Sequence, residues 1–141
     1  MKKSIITFLS LGMLIAFGVY YISEHYFFNP VTFEKDQITP HSWTEYKRPL
    51  EIKIYSFEEE RDSKTIEEEE DIRKFISELK ESPSSEADAP PTEVMGGLTL
   101  TANDRTLLEV LFYPDHWEVL KRDGPAFEIT ESLKQLVDRF K

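Results

Sequence analysis

Between Ser4 and Ser23 the chain carries no charged side chain, and this uninterrupted run of 20 residues decides where its N-terminal part can go. At 1.5 Å per residue a helix of that length spans about 30 Å, the thickness of a bilayer's hydrocarbon core. Met1-Lys2-Lys3 precedes it and Glu24-His25 follows it. A cleaved signal peptide has a shorter apolar core and small residues before the cut. Here Tyr20, Tyr21 and Ile22 fill that place, and Tyr26, Phe27 and Phe28 extend an aromatic cluster of the kind found at a membrane–water interface. The sequence therefore predicts a retained signal-anchor over residues 1–23, with Ser4, Ile5, Phe8, Leu11, Leu14, Phe17, Tyr20, Tyr21 and Ile22 against lipid. Lysines stay on the cytoplasmic side, so Lys2 and Lys3 put the N-terminus inside and the rest of the chain outside the cell membrane. Gly12 and Ala16 form a small-xxx-small pair on which a second helix could approach closely.

The rest of the chain is polar. The whole chain counts −10; without Lys2 and Lys3 it holds 15 basic against 27 acidic residues, a balance of −12. Such a charge repels phosphate backbones and opposes nucleic-acid binding. There is no cysteine, which excludes disulfides, thiolate zinc sites, a thiol nucleophile and a lipidated N-terminal cysteine.

Residues 24–49 hold Pro30, Pro40 and Pro49 with few apolar residues and no period, and are expected to form a juxtamembrane stalk, with Trp43 and Tyr46 either on its extended path or packed back on the domain edge. An extracytoplasmic domain over 50–141 follows. Leu50 to Phe57 alternates as a half-buried strand. Thr65-Ile66-Glu67-Glu68 fits a capping box and predicts a helix from Thr65, with Ile72, Phe75, Ile76 and Leu79 as its apolar stripe. Residues 82–92, rich in proline and serine, read as an exposed mobile loop. Strands are expected over Val94–Thr101, Thr106–Tyr113 (a central strand), His116–Lys121 and Ala126–Glu128, with turns at Asn103-Asp104, Pro114-Asp115 and Asp123-Gly124. Thr130 caps a closing helix with Leu133, Leu136, Val137 and Phe140 inward. The order β-α-β-β-β-(β)-α is that of an α+β domain: a two-layer arrangement of a mainly antiparallel sheet and two helices.

Few residues point to chemistry. Glu58 to Glu60 and Glu67 to Asp71 are acidic runs, but they lack the turning glycine of a calcium loop, and consecutive helical glutamates point apart. His25, His41 and His116 share no metal spacing. His116 and Glu118 fall on one face of a strand and form the sole candidate surface pair for acid–base work, with Trp117 on the other face. Met95-Gly96-Gly97 lacks the context of a phosphate loop and reads as a bulge or sheet edge. No serine has acyl-transfer spacing. No cofactor or metal is expected.

The Lys2-Lys3 apolar anchor, the Ile52-Lys53-Ile54-Tyr55 strand, the Ile72-Arg73-Lys74-Phe75-Ile76 helix centre and the late strands before Ile129-Thr130-Glu131-Ser132-Leu133 together resemble small uncharacterised membrane-anchored or exported envelope proteins of Gram-positive bacteria. The resemblance implies an envelope location and carries no catalytic residue. The expectation is a non-catalytic acidic binding or accessory module, not an enzyme, with the lipid bilayer and a basic protein or cell-envelope component as partners. The alternatives are a subunit or regulator of a membrane complex acting through its helix, and a small carboxylate-dependent hydrolase.

Overall fold

The structure is a computed structural model that describes residues 1–57, 62–86, 93–121 and 124–140. Helix α1 (Lys2–His25) forms as the apolar run requires, and none of its residues is buried. Among the described residues it is the one helix long and apolar enough to cross a membrane, by length and composition; a signal sequence satisfies the same test.

The remainder is an α+β fold. Strands β1 (Leu50–Ser56), β2 (Ser63–Ile66), β3 (Gly96–Ala102), β4 (Arg105–Phe112), β5 (His116–Val119) and β6 (Ala126–Glu128) form one antiparallel sheet in the order β2-β1-β3-β4-β5-β6. Strand alternation sends Ile52, Ile54, Leu98, Leu100, Val110, Phe112, Trp117 and Phe127 to one face. There they share a core with Ile72, Phe75, Ile76 and Leu79 of α2 (Glu69–Glu81) and Leu133, Leu136 and Val137 of α3 (Glu131–Arg139). Thr130 caps α3 by accepting from the Leu133 N–H at 3.2 Å. Ser132 Oγ donates to Glu78 at 2.6 Å and ties the two helices together.

Turn chemistry sets the register. Asn103 and Asp104 have φ of 50° and 64°, the left-handed pair that a two-residue hairpin needs between β3 and β4. The β4 strand pairs on both sides, as a central strand does. Gly96 and Gly97 open β3 in regular register with β1 and β4; the irregularity lies instead at Leu100/Thr101. The doublet is therefore neither bulge nor edge. A Cβ on Gly96 would collide with the Tyr55 carbonyl oxygen of the neighbouring strand, so glycine permits close backbone approach there.

Two further expectations, the helix start at Thr65 and the stalk, are corrected. Thr65 is not a helix cap but lies in β2, opposite Lys53, and α2 starts only at Glu69, with Glu68 as a cap that makes no side-chain hydrogen bond. Pairing puts Ile66 opposite Ile52 and buries it, which a helix start at Thr65 would forgo. Residues 24–49 do not run free as a stalk. Phe27, Ile38 and Tyr46 enter the core, Tyr26 bridges Lys47, and the Arg48 N–H donates to the His25 carbonyl at 2.9 Å. Aromatic burial outweighs the extended bias of the prolines. The 82–92 segment is pinned at its start, where Ser84 bridges Phe127 and the Ser85 N–H donates to Ala126. Its residues 87–92, like Glu58–Glu60 and Asp123 of the expected hairpin turn, lie outside the described residues.

Candidate functional site

The residues expected against lipid, Ser4, Ile5, Phe8, Leu11, Leu14, Phe17, Tyr20 and Tyr21, are all exposed along α1, while Ile22 is half-covered where the helix meets the domain. A methyl group added to Gly12 would meet nothing within 4 Å, so that side of α1 is open.

Helices α2 and α3 pack on one face of the sheet; among the described residues no helix covers the opposite face, where Glu51, Lys53, Glu109 and Glu128 are exposed. Register assigns that face Glu51, Lys53, Thr99, Glu109, Glu118 and Glu128 among its polar positions, with Ser63, Thr65, Thr101 and His116, and with Tyr55 and Leu111 between them. Lys53 Nζ sits 5.2 Å from the Tyr55 ring centroid. The named charges are four glutamates against one lysine, so the face is acidic and its apolar content is small.

His116 and Glu118 share this face, as strand alternation predicts, but His116 is no surface residue: it is 5 % exposed. Its ring stacks on Tyr113 at 4.5 Å with the planes 5° apart. Nδ1 lies 2.6 Å from Asp115 Oδ1 and Nε2 lies 3.3 Å from Glu118 Oε1. Carboxylates only accept, so each contact is a hydrogen bond when that nitrogen carries its proton. The hydrogen bond from His116 holds the Asp115 carboxyl below its usual range. Burial, with the Glu118 charge second, pushes the Tyr113 hydroxyl upward. The arrangement fixes the imidazole in place and leaves it little reach toward a substrate.

The acidic start of α2 is built differently from a cation site. Glu69 is clamped by Arg48 and by Arg73, whose Nη2 lies 2.7 Å from Oε1 and also donates to the Phe27 carbonyl at 2.6 Å. Burial acts to raise the Glu69 carboxyl, and the hydrogen bonds and charges of Arg73 and Arg48 outweigh it, leaving it below the usual range. Asp71 lies 3.9 Å from Arg139. Among the described residues no three histidine, aspartate or glutamate side chains gather as a metal site requires.

Two concavities on the domain are lined mainly by apolar and aromatic side chains. One of about 250 Å³ lies between α3 and the end of the sheet, against Tyr55, Met95, Phe112, Tyr113, Ile129 and Val137. The other, of about 330 Å³, lies where α1 joins the domain, against Val19, Ile22, Phe28, Val31, Arg48 and Arg73. Neither is lined by His116 or Glu118. Sequence reasoning missed both, and nothing local pointed to Arg48 as a second partner of Glu69. The (i, i+4) spacing of Glu69 and Arg73 was the one local signal for the clamp. No protein-family model, curated protein or solved structure matches this chain.

Proposed function

We propose that the chain is a single-pass membrane protein, N-terminus in the cytoplasm, whose outer domain is a non-catalytic binding or accessory module of the cell envelope. The observation that carries this reading is the acidic sheet face, free of helices among the described residues and set on a domain that continues directly from an apolar helix. Four glutamates against one lysine favour a basic protein surface or an envelope component bearing positive groups. Charge of this kind steers partners and sets salt dependence more than it sets raw affinity. Residues buried in the core are spared by the test, because Glu51, Glu109 and Glu128 are exposed.

The experiment is crosslinking and recovery of partners from intact membranes, comparing the natural chain with Glu109→Lys/Glu128→Lys. Loss of the same partner in the double variant, and at raised salt, supports the acidic face. A partner retained in full by the variant overturns it. Protease accessibility of the domain in spheroplasts checks the side.

A second reading has its own observation. Gly12 and Ala16 leave one side of α1 open to another helix, which suits a subunit or regulator of a membrane complex. Exchanging residues 1–23 for an unrelated anchor separates the two. Full function after exchange removes the helix-centred reading.

A further inference from the structure

The groove at the foot of α1 has two unlike walls. Val19 and Ile22 of α1 form one; Phe28 and Val31 of the following turn, with Arg48 and Arg73, form the other. Val31 is 88 % exposed, an apolar side chain turned out of a well-packed domain. The joint between the walls is fixed. Besides the Arg48–His25 backbone bond, the Phe27 N–H donates to Tyr46, Arg48 Nε donates to the Tyr26 carbonyl at 3.1 Å, and the Tyr26 ring packs on Trp43 at 4.9 Å. With no stalk between them, whatever surrounds Val19 and Ile22 also reaches Phe28 and Val31.

The charge at this end departs from the rest of the domain. Lys47, Arg48, Arg73 and Arg105 gather around the helix exit, against Glu24, Glu45 and Glu69. The charged side chains that line the groove itself are both arginines, Arg48 and Arg73, in a chain that is otherwise strongly acidic. Arg73 uses Nε and Nη2 on Glu69 and Phe27, and among the described residues nothing is hydrogen-bonded to its Nη1. Its side chain is 45 % exposed.

We propose that this groove seats a phospholipid of the surrounding bilayer, its phosphate on the open edge of the Arg73 guanidinium and its glycerol and upper acyl carbons against Ile22, Phe28 and Val31. Guanidinium suits a phosphodiester oxygen in both charge and geometry. Continuity with α1 selects the occupant, since the first wall of the groove is itself part of the lipid-facing helix. The inference rests on retention of α1 in the membrane.

The test uses the full chain in phosphatidylglycerol/phosphatidylcholine vesicles, with a fluorophore on Val31→Cys or on Pro114→Cys and a nitroxide on the phospholipid headgroup. Pro114 lies beyond the far end of β4, more than about 20 Å from the hairpin turn beside the groove. Flotation with the vesicles is scored first. Expected are strong quenching at position 31, none at 114, and preference for labelled phosphatidylglycerol that falls about fivefold in Arg73→Gln. Inorganic phosphate should not compete. Material that floats but is unquenched at 31, or whose lipid preference survives Arg73→Gln, overturns the lipid seat alone. Relief of quenching by inorganic phosphate replaces it with a free-phosphate site. Material that fails to float overturns the anchor, and the seat with it.

Discussion

The indole N–H of Trp117 donates to Ser82 Oγ at 3.2 Å, and both residues are buried. Trp117 is the largest fully buried side chain and stacks on Phe127 at 4.4 Å, so its one polar atom must find a partner inside the protein. Ser82 supplies it from the end of α2, where its hydroxyl also donates to the Glu78 carbonyl at 3.0 Å. Ser82→Ala strands the indole donor and should cost about 1–3 kcal/mol. Urea unfolding of the full chain in detergent measures this, and Ser82→Thr, which restores an acceptor, should recover part of it.

Glu69 joins the 26–49 segment to α2 through two arginines. Its carboxyl is held below its usual range, so its contribution is present above the unfolded value of about 4.5 and is lost as pH falls through the lower folded value. Glu69→Gln should destabilise the domain by about 1 kcal/mol or less, because the carboxylate is well exposed and screened. It should also flatten the acid limb of a melting-temperature profile below pH 4.5. An unchanged acid limb would place the acid sensitivity at another carboxylate, with Asp36 next in line: its burial is outweighed by the Thr39 and Ile38 N–H groups and Lys80.

Tyr46 behaves oppositely. Its hydroxyl is buried and, among the described residues, has no partner at hydrogen-bond geometry; burial pushes its pKa to about 12, only partly offset by the nearby His41 N–H. The folded state favours the neutral phenol, so stability is intact below pH 10 and declines as pH rises through about 12. Tyr46→Phe should be neutral to stabilising by up to about 1 kcal/mol at pH 7, since it removes an unsatisfied polar atom. The alkaline decline should shrink in the same variant.

The β3–β4 hairpin depends on two residues at positive φ. Asp104→Gly should raise the melting temperature slightly. Asp104→Val should cost about 1–2 kcal/mol, because a β-branched side chain crowds its own backbone in that region. Thermal melts of the two variants check both signs.

Local signals in the sequence were sufficient wherever the structure is local. The Ile72-Phe75-Ile76-Leu79 stripe, the Asn103-Asp104 turn, the Ala126–Glu128 strand and the Thr130 cap each depend on spacing or turn chemistry within a few residues. Thr65 shows where this fails: Thr-Ile-Glu-Glu suits a capping box and a strand equally, and the tie is broken by Ile52, far off in sequence but adjacent in β1. The burial of Tyr46 and Ile38 had no period to announce it, since an irregular segment buries side chains through tertiary contacts alone. The clamp on Glu69 draws one arginine from its own helix and another from 21 residues upstream. His116 looked like a surface residue because alternation gives the face of a side chain but not the ring that lies against it.

The splice between His25 and Tyr26 has a mechanical consequence. Because backbone bonds close on both sides of that junction, the domain can turn independently of α1 only by breaking them. A turn of the helix about its own axis must carry the sheet with it as a crank carries its handle. The direction in which the glutamate-lined face looks is thereby geared to whatever grips the helix below.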